Sequence, residues 1–350
     1  MRIGEENRPD VIGRKRSVTR RDFVKYGVVA GAGIAGSAVL GARTNSGPTS
    51  SQVRPQGHQH EAVQGAGSLG EFILGDQMDP IDFLVSFDYG KTSQLPDGRT
   101  LREWEITALD KTVQVAPGVH YPAWTYNGQV PGPTFRATDG DLLRIHFKNK
   151  GSHAHTIHFH GFHPSNMDGV LEVIEPGGVY TYEFTAEPFG VHLYHCHVPP
   201  IKKHIEKGLY GAFIVDPKTP RTPAKELVMV MNGFDVNFDG ENEFYTVNGI
   251  ANYYLQNPIK LKVDELVRVY LVNITEFDLL NSMHTHATFF KLYKTGTQLD
   301  NYEFTDTVIL GQGERAILEF TYKFPGKFMF HAHQSEFAEL GWMGFFQVEP

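Results

Sequence analysis

The 350-residue chain is 41% hydrophobic and 12% aromatic, with 36 Gly and 20 Pro, a globular composition with room for two domains of ordinary size. Its formal net charge of -8 argues against nucleic acid or an anionic membrane surface as the main partner. A single cysteine, Cys196, stands among 17 histidines. It cannot form an internal disulfide, so the thiol is buried, reactive or a metal ligand, and a metal is the leading reading.

In chain order, residues 1–45 read as an export signal. A basic stretch leads into Thr19-Arg20-Arg21-Asp22-Phe23-Val24-Lys25, and an uncharged run rich in Gly, Ala and Val follows from Tyr26 to Ala42. The segment resembles a twin-arginine signal, a route that exports folded proteins and so suits a chain carrying a cofactor. The run is short and glycine-rich for a membrane span; retained rather than cleaved, it would act as a tether. The expected location is periplasmic or extracellular. Residues 46–74, rich in Ser, Gln and Gly, read as a disordered linker with His58 and His60 open to solvent.

The remainder reads as strands. Leu142 to Phe147, Tyr180 to Phe184, Leu266 to Val272 and Ala316 to Phe320 are short apolar-alternating runs separated by Gly, Pro, Asn and Asp, with no long amphipathic helix between them. This is an all-β pattern of the sandwich kind. The chain also repeats itself. "IEPGGVYTYEFTAEPFGVHLYHCH" (Ile174 to His197) aligns with "ILGQGERAILEFTYKFPGKFMFHAH" (Ile309 to His333). "HTIHFHG" (His155 to Gly161) aligns with "NSMHTHA" (Asn281 to Ala287), and "GLYGAFIV" with "GWMGFFQV". Two similar β-sandwiches, residues 75–217 and 218–350, are expected.

Side chains alternate faces along a strand. His158 and His160 therefore share one face and His155 takes the other. Likewise His195 and His197 share a face, and Cys196 points away from them. The second unit offers His284 with His286, and His331 with His333, at matching places. Two ligand sets result. Cys196, His155 and His204 supply one thiolate and two imidazoles, the donors of a blue-copper electron-transfer centre. The four His-x-His pairs supply eight imidazoles, which suits a cluster of copper ions better than a four-ligand zinc site. Single histidines such as His120, His146, His153, His163 and His192 read as hydrogen-bonded core or surface residues.

"PAWTYNGQVPGPTFRATDGDLLRIHFKN" (Pro122 to Asn149), "HFHG", "HCH" and the second-unit pairs resemble the multicopper oxidase family, specifically its two-domain, laccase-like members. The resemblance runs from about residue 100 to the C-terminus. It implies two cupredoxin-like Greek-key domains and four coppers per chain, with a trinuclear cluster that reduces O2 to water. It places type 1 copper on His155, Cys196 and His204, type 2 copper on His158 and His284, and the type 3 pair on His160, His195, His197, His286, His331 and His333. Cys196 would then link the electron entry site to the oxygen site through its own sequence neighbours.

The two units are unequal. Asn281, Ala332 and Phe337 stand where the first unit has His155, Cys196 and His204, so one type 1 copper is expected, in the first domain. Leu209 occupies the axial position where related proteins often carry Met, which should raise the potential. Asp168 is a candidate proton relay or a partner of a cluster ligand, and Glu336 a weaker candidate. By resemblance the chain forms a homotrimer with clusters between chains; the residues alone leave an intrachain cluster open. A copper nitrite reductase is the nearest rival, but its catalytic Asp would fall at His158 and its His-Cys-Ala motif at His195-Cys196-His197. A non-catalytic electron carrier would leave eight histidines unexplained. The electron donor is open between phenols, aromatic amines, Cu(I), Fe(II) and hydroxylamine.

Overall fold

Four sheets account for nearly all of the regular structure in the computed structural model, which describes residues 70–350. The signal segment, His58, His60 and most of the linker lie outside the described residues. The first sandwich pairs two sheets. One runs, in spatial order, Phe87–Asp88, Thr134–Thr138, Tyr210–Asp216, Gly190–His195 and His158–Phe159. The other runs Lys91–Gln94, Thr100–Ala116, Leu142–Asn149 and Val179–Thr185, with Val119–Tyr126 also pairing with Thr100–Ala116. The second sandwich repeats the plan. Its six-stranded sheet is Phe244–Val247, Lys225–Phe234, Val267–Asn273, Arg315–Phe320, Phe290–Lys294 and Glu303–Thr305. Its five-stranded sheet is Ile259–Lys262, Met343–Glu349, Gly326–His331, Leu280–Thr285 and Thr307–Gly311. Helices among the described residues are at most six residues long, and none could cross a membrane.

The apolar alternation explains how each sandwich closes. Inward residues Trp104, Ile106, Ile145, Phe147, Tyr182 and Phe184 of one sheet pack on Phe135, Phe159, Tyr194, Phe213 and Val215 of the other. The second core is built the same way, from Met229, Val269, Leu271 and Leu318 against Phe330, Phe346 and Val348. Strands Gly190–His195, Tyr210–Asp216, Lys225–Phe234 and Val267–Asn273 are buried on both faces. Their outer residues, among them Val191, Leu193, Ala212, Ile214, Val228, Val230, Tyr270 and Val272, form a third apolar cluster joining the two sandwiches. Near-continuous apolar runs in these strands follow from that double burial.

The segment before the first sandwich departs from the expected boundary. Residues 70–74 were read as linker, yet the Ile73 amide donates to Gln114 Oε1 at 2.9 Å and Phe72 packs on Tyr253 with ring centroids 4.8 Å apart. Residues 75–84 bridge the two sandwiches rather than belonging to the first. Gln77 and Gln114 exchange two hydrogen bonds, Tyr253 Oη donates to Asp79, and Leu84 sits in the second core. No local pattern marks such a strap, because its partners lie far away in sequence.

Leu193 is fully buried in the cluster between the sandwiches and adjoins the strand end that carries His195 and Cys196. Leu193→Ala should therefore destabilise the protein by about 2–5 kcal/mol in chemical denaturation; a loss well under 1 kcal/mol would mean that this face is not a packed interface.

Candidate metal centre

The strand Gly190–His195 delivers Cys196 to a turn that returns through the helix Ile201–Glu206 to the strand Tyr210–Asp216. Two backbone hydrogen bonds close this loop: Cys196 N–H to Leu209 C=O at 3.0 Å, and Leu209 N–H to His204 C=O at 3.3 Å. His155 joins from a separate segment, held by paired backbone bonds to Ile174. His204 Nδ1 then lies 3.2 Å from Cys196 Sγ, His155 Nδ1 4.0 Å from it, and the two Nδ1 atoms 3.3 Å apart. All three side chains are buried. Burial pushes His155 down to about 3, helped by the nearby His204, and His204 down to about 4, so both rings are neutral. Burial pushes the Cys196 thiol up, against the opposing Thr156 N–H at 3.4 Å.

Two lone-pair nitrogens and a sulfur facing one another in a dry pocket are not satisfied by each other. A cation that displaces the thiol proton satisfies all three, and thiolate with two imidazoles fits copper. His155 Nε2, on the far side of its ring, is buried without a partner.

The His-x-His pairs form two quartets of the same shape. In the first, the His158 ring lies 5.1, 5.2 and 5.3 Å from those of His160, His195 and His197, and His160 Nε2 is 3.3 Å from His195 Nε2. In the second, His284 lies 5.1, 5.4 and 5.3 Å from His286, His331 and His333, and His286 Nε2 is 3.1 Å from His331 Nε2. Each rests on one strand pairing, His158 opposite His195 and His284 opposite His331. Each also has a hydroxyl bracing the last pair: Thr156 Oγ1 accepts from His197 N–H and Ser282 Oγ from His333 N–H. Burial lowers His158, His160, His195, His286 and His331, His160 to about 3 and His195 to about 4. Among the described residues no hydrogen bond or ring contact joins one quartet to the other.

Backbone carbonyls set the tautomers. The Nδ1 atoms of His158, His195, His284 and His331 lie 2.8, 3.0, 3.0 and 2.7 Å from the C=O groups of Asp168, Cys196, Asp306 and Ala332. A carbonyl can only accept, so Nδ1 carries the proton and Nε2 keeps its lone pair for a metal. Asp168 also places Oδ1 3.2 Å from His158 Nδ1 and 3.7 Å from His163 Nε2. The carboxylate against His284 is Asp306, with Oδ1 at 3.9 Å, and Thr307 Oγ1 at 2.9 Å completes that contact. Glu336 lies exposed in the helix Ser335–Glu339 beyond His333. Sequence reasoning missed Asp306, although it sits before the strand that pairs with His284, and Arg315. Arg315 reaches from the second sandwich to donate to Val191 C=O at 3.1 Å, with a guanidinium nitrogen 3.4 Å from His160 Nδ1.

Of the single histidines, His120 and His146 are exposed, while His163 and His192 hydrogen-bond the carbonyls of Phe159 and Pro188. In the second sandwich, Ala332 N–H donates to Trp342 C=O and Trp342 N–H to Phe337 C=O, the same fold-back as around Cys196. The ligand positions are filled differently. Asn281 bonds Thr275, Ala332 is buried, and the Phe337 ring stacks on Tyr245 at 3.8 Å.

Family models described as multicopper oxidase match residues 107–220 and 220–350. A solved structure described as a multicopper oxidase is 56% identical, with a TM-score of 0.76 over 77% of this chain and 97% of that one. A copper nitrite reductase from Nitrosomonas europaea superposes with a TM-score of 0.65 at 26% identity, over 71% of this chain and 94% of that one. The copper-containing nitrite reductase of Neisseria gonorrhoeae is 30% identical over 65% of this chain; the match spans 63% of that protein's length. The fold and the site together define a copper oxidoreductase. The chain belongs to the multicopper oxidase family and is homologous to copper nitrite reductases.

The buried imidazoles give the metal-free protein a pH dependence. His155, His195 and His204 stay neutral in the fold down to about 3–4, but take up a proton near 6.5 when unfolded. The unfolded state binds more protons below 6.5, so stability falls on acidification, by about 1.4 kcal/mol per pH unit for each such group. The melting temperature of copper-free protein should drop steeply between about pH 6.5 and 4, and bound copper should raise it throughout without removing the fall, because the unfolded chain still takes up these protons; a flat profile without copper would show that these rings are already charged or open to water.

Proposed function

We propose that this protein is a laccase-like multicopper oxidase that couples one-electron oxidation of a donor to four-electron reduction of O2 to water. The observation that carries the reading is the pair of matching histidine quartets, joined in the first sandwich to the thiolate site by a single peptide bond. Copper held by His155, Cys196 and His204 would accept single electrons, and copper held by the quartets would deliver them to O2. His158 and His284 would bind the type 2 ion. His160, His195, His197, His286, His331 and His333 would bind the type 3 pair, making four coppers per chain.

The chain's own groups divide the remaining work. Carbonyls of Asp168, Cys196, Asp306 and Ala332 orient rings so that Nε2 faces the metal space. Asp168, partly exposed and against His158, is placed to pass protons from solvent, which the reduction of O2 consumes. Thr156 and Ser282 brace the ends of the two quartets.

A trinuclear site needs both quartets, and a homotrimer with clusters between chains answers their separation within one chain. His286 and His333 are exposed, as a half-site awaiting a partner would be. Exposed Phe162 and Leu171 flank the first quartet, and exposed Leu280 and Ile309 the second. The Arg20-Arg21 segment supports a periplasmic or extracellular location. Homology to copper nitrite reductases favours nitrite as a second acceptor reading. Against it, His158 stands where a catalytic carboxylate would be required, and His197 adds a ligand where that motif has alanine.

Two outcomes test this. Co-expressed His160→Ala and His331→Ala chains, each inactive alone, should regain oxygen uptake in mixed oligomers, because one interchain cluster then collects both damaged halves and another is left intact; no recovery would mean the cluster is intrachain. Wild-type protein should hold four coppers per chain, whereas two would support the reductase and one a carrier. Leu209, buried with Cys196 in the same core, presents no donor atom. Leu209→Met should lower the type 1 potential in a redox titration, and an unchanged or higher value would remove Leu209 from the axial position.

A further inference from the structure

The three thiolate-site ligands are closed to solvent: His155 and Cys196 are 0% exposed and His204 is 3% exposed. A donor of organic size cannot touch any of them in this chain. What lies over them is Trp124, whose indole packs on both imidazoles, 5.3 Å from His155 and 4.8 Å from His204 between ring centroids. On its other side the exposed ring of His153 lies 4.4 Å away, tilted by 39°. Exposed Lys203, next to His204 in the helix Ile201–Glu206, holds its ammonium 5.4 Å from the indole. Trp124 thus stands in ring contact with both copper-binding imidazoles and with one surface imidazole.

Two further details separate Trp124 from a packing residue. The indole N–H groups of Trp104 and Trp342 are engaged, by Asp88 C=O at 3.2 Å and Met231 Sδ at 3.2 Å. That of Trp124 has no hydrogen-bond partner among the described residues and is not among the side-chain N–H groups sealed from solvent without one. The ring is also fixed from its backbone. Trp124 N–H donates to Lys207 C=O at 2.9 Å, and Gly208 passes so close that an added Cβ would lie 3.0 Å from Trp124 C=O and 2.6 Å from Val130 Cγ2. The loop carrying His204 and the strand carrying Trp124 are held together.

We infer that Trp124 is the electron-entry residue of this protein: a donor docks on the His153 ring and the free indole N–H, and its electron reaches His155 and His204 through the indole rather than through an exposed ligand edge. The inference rests on copper at His155, Cys196 and His204. In each event the donor loses one electron and Cu(II) becomes Cu(I); the indole bridges and ends unchanged, and a hydroxyl proton released by the donor leaves to water. A donor with an oxygen lone pair can accept from the indole N–H while its ring stacks on His153. Lys203 adds attraction for an anionic donor and repulsion for a bare metal cation.

The test uses the copper-loaded full chain as wild type, Trp124→Leu, Trp124→Phe and His153→Ala. Copper content, visible spectrum and type 1 potential are measured first, then the anaerobic bleaching of the type 1 absorption by 2,6-dimethoxyphenol in stopped flow. Trp124→Leu should bleach several-fold more slowly at an unchanged potential. Trp124→Phe, which keeps a ring, should recover much of the limiting rate but need more phenol to reach it, and His153→Ala should weaken the same concentration dependence. Bleaching as fast as wild type in Trp124→Leu, with spectrum and potential intact, overturns the inference. Should Trp124→Leu lose its type 1 spectrum, Trp124→Phe and His153→Ala decide by the same criterion. In metal-free protein labelled with fluorotryptophan, the Trp124 resonance, assigned by its loss in Trp124→Phe, should move on titration with the phenol; a fixed resonance counts against docking. Absence of a type 1 spectrum in wild type would instead refute the copper reading on which the inference rests.

Discussion

Adjacent side chains of an extended backbone point to opposite sides, and everything at this site depends on that at Cys196. His195 belongs to the first quartet and Cys196 to the buried thiolate group, one peptide apart. A one-residue slip would turn the sulfur toward the quartet and drive an imidazole into the core. The register is therefore pinned repeatedly. Tyr210 and His158 pair with His195 from either side, and the second sandwich grips Val191 through the Thr295 carbonyl on its N–H and Arg315 on its C=O. Domain packing and site geometry are one constraint here, because the strand that carries the ligands is also the middle of the interface.

The second sandwich shows what that scaffold does without the sulfur. Its backbone repeats the fold-back and the serine brace, so the quartet forms at His284, His286, His331 and His333. The opposite face, with no thiol and imidazole set, has to be packed to native density. Phe337 stacks on Tyr245 where His204 would sit, Ala332 replaces the thiol, and Asn281 turns its amide to Thr275. One face of each strand keeps its chemistry while the other reverts to core, which is possible because the two faces share only backbone.

The parts of this site that obey a local period were legible in the sequence. The His-x-His pairs, the lone cysteine between two of them and the repeat of the whole unit need only strand alternation and a short alignment, and the strands from Leu142, Val179, Val267 and Arg315 appear at those places. What stayed hidden depends on contacts between distant segments. Arg315 looks like an ordinary strand residue until the sandwiches dock and bring it to His160. Asp306 is one more loop acid until the strand Thr307–Gly311 sets it beside His284. The strap over residues 75–84 bridges both sandwiches and was assigned to the first, because its anchors, Gln114, Tyr253 and Tyr254, are specified nowhere near it. His153 is exposed and hydrogen-bonded to Ser152, as expected of a surface histidine, but nothing local to it signals Trp124, which reaches it from the distant strand Val119–Tyr126.

The carbonyl-fixed tautomers carry the argument from ligands to assembly. With Nδ1 committed to the backbone in four of the eight rings, the Nε2 lone pairs of His195 and His331 point at the Nε2 atoms of His160 and His286, 3.3 Å away in the first quartet and 3.1 Å in the second. Arg315 can only donate to His160 Nδ1, so the neutral His160 ring carries its proton on Nε2 and offers it to His195; His286, whose Nδ1 no carbonyl fixes among the described residues, can do the same for His331. A metal has to displace those shared protons, and among the described residues no hydrogen bond or ring contact joins the two quartets of one chain. On the proposed interchain cluster, a metal held by both quartets would bind the associated state more tightly than the separated one. Linkage would then require that copper strengthen assembly and assembly strengthen copper binding by the same factor. On that proposal the exposed Phe162, Leu171, Leu280 and Ile309 would supply the non-polar share of the contact, and the rings its specificity.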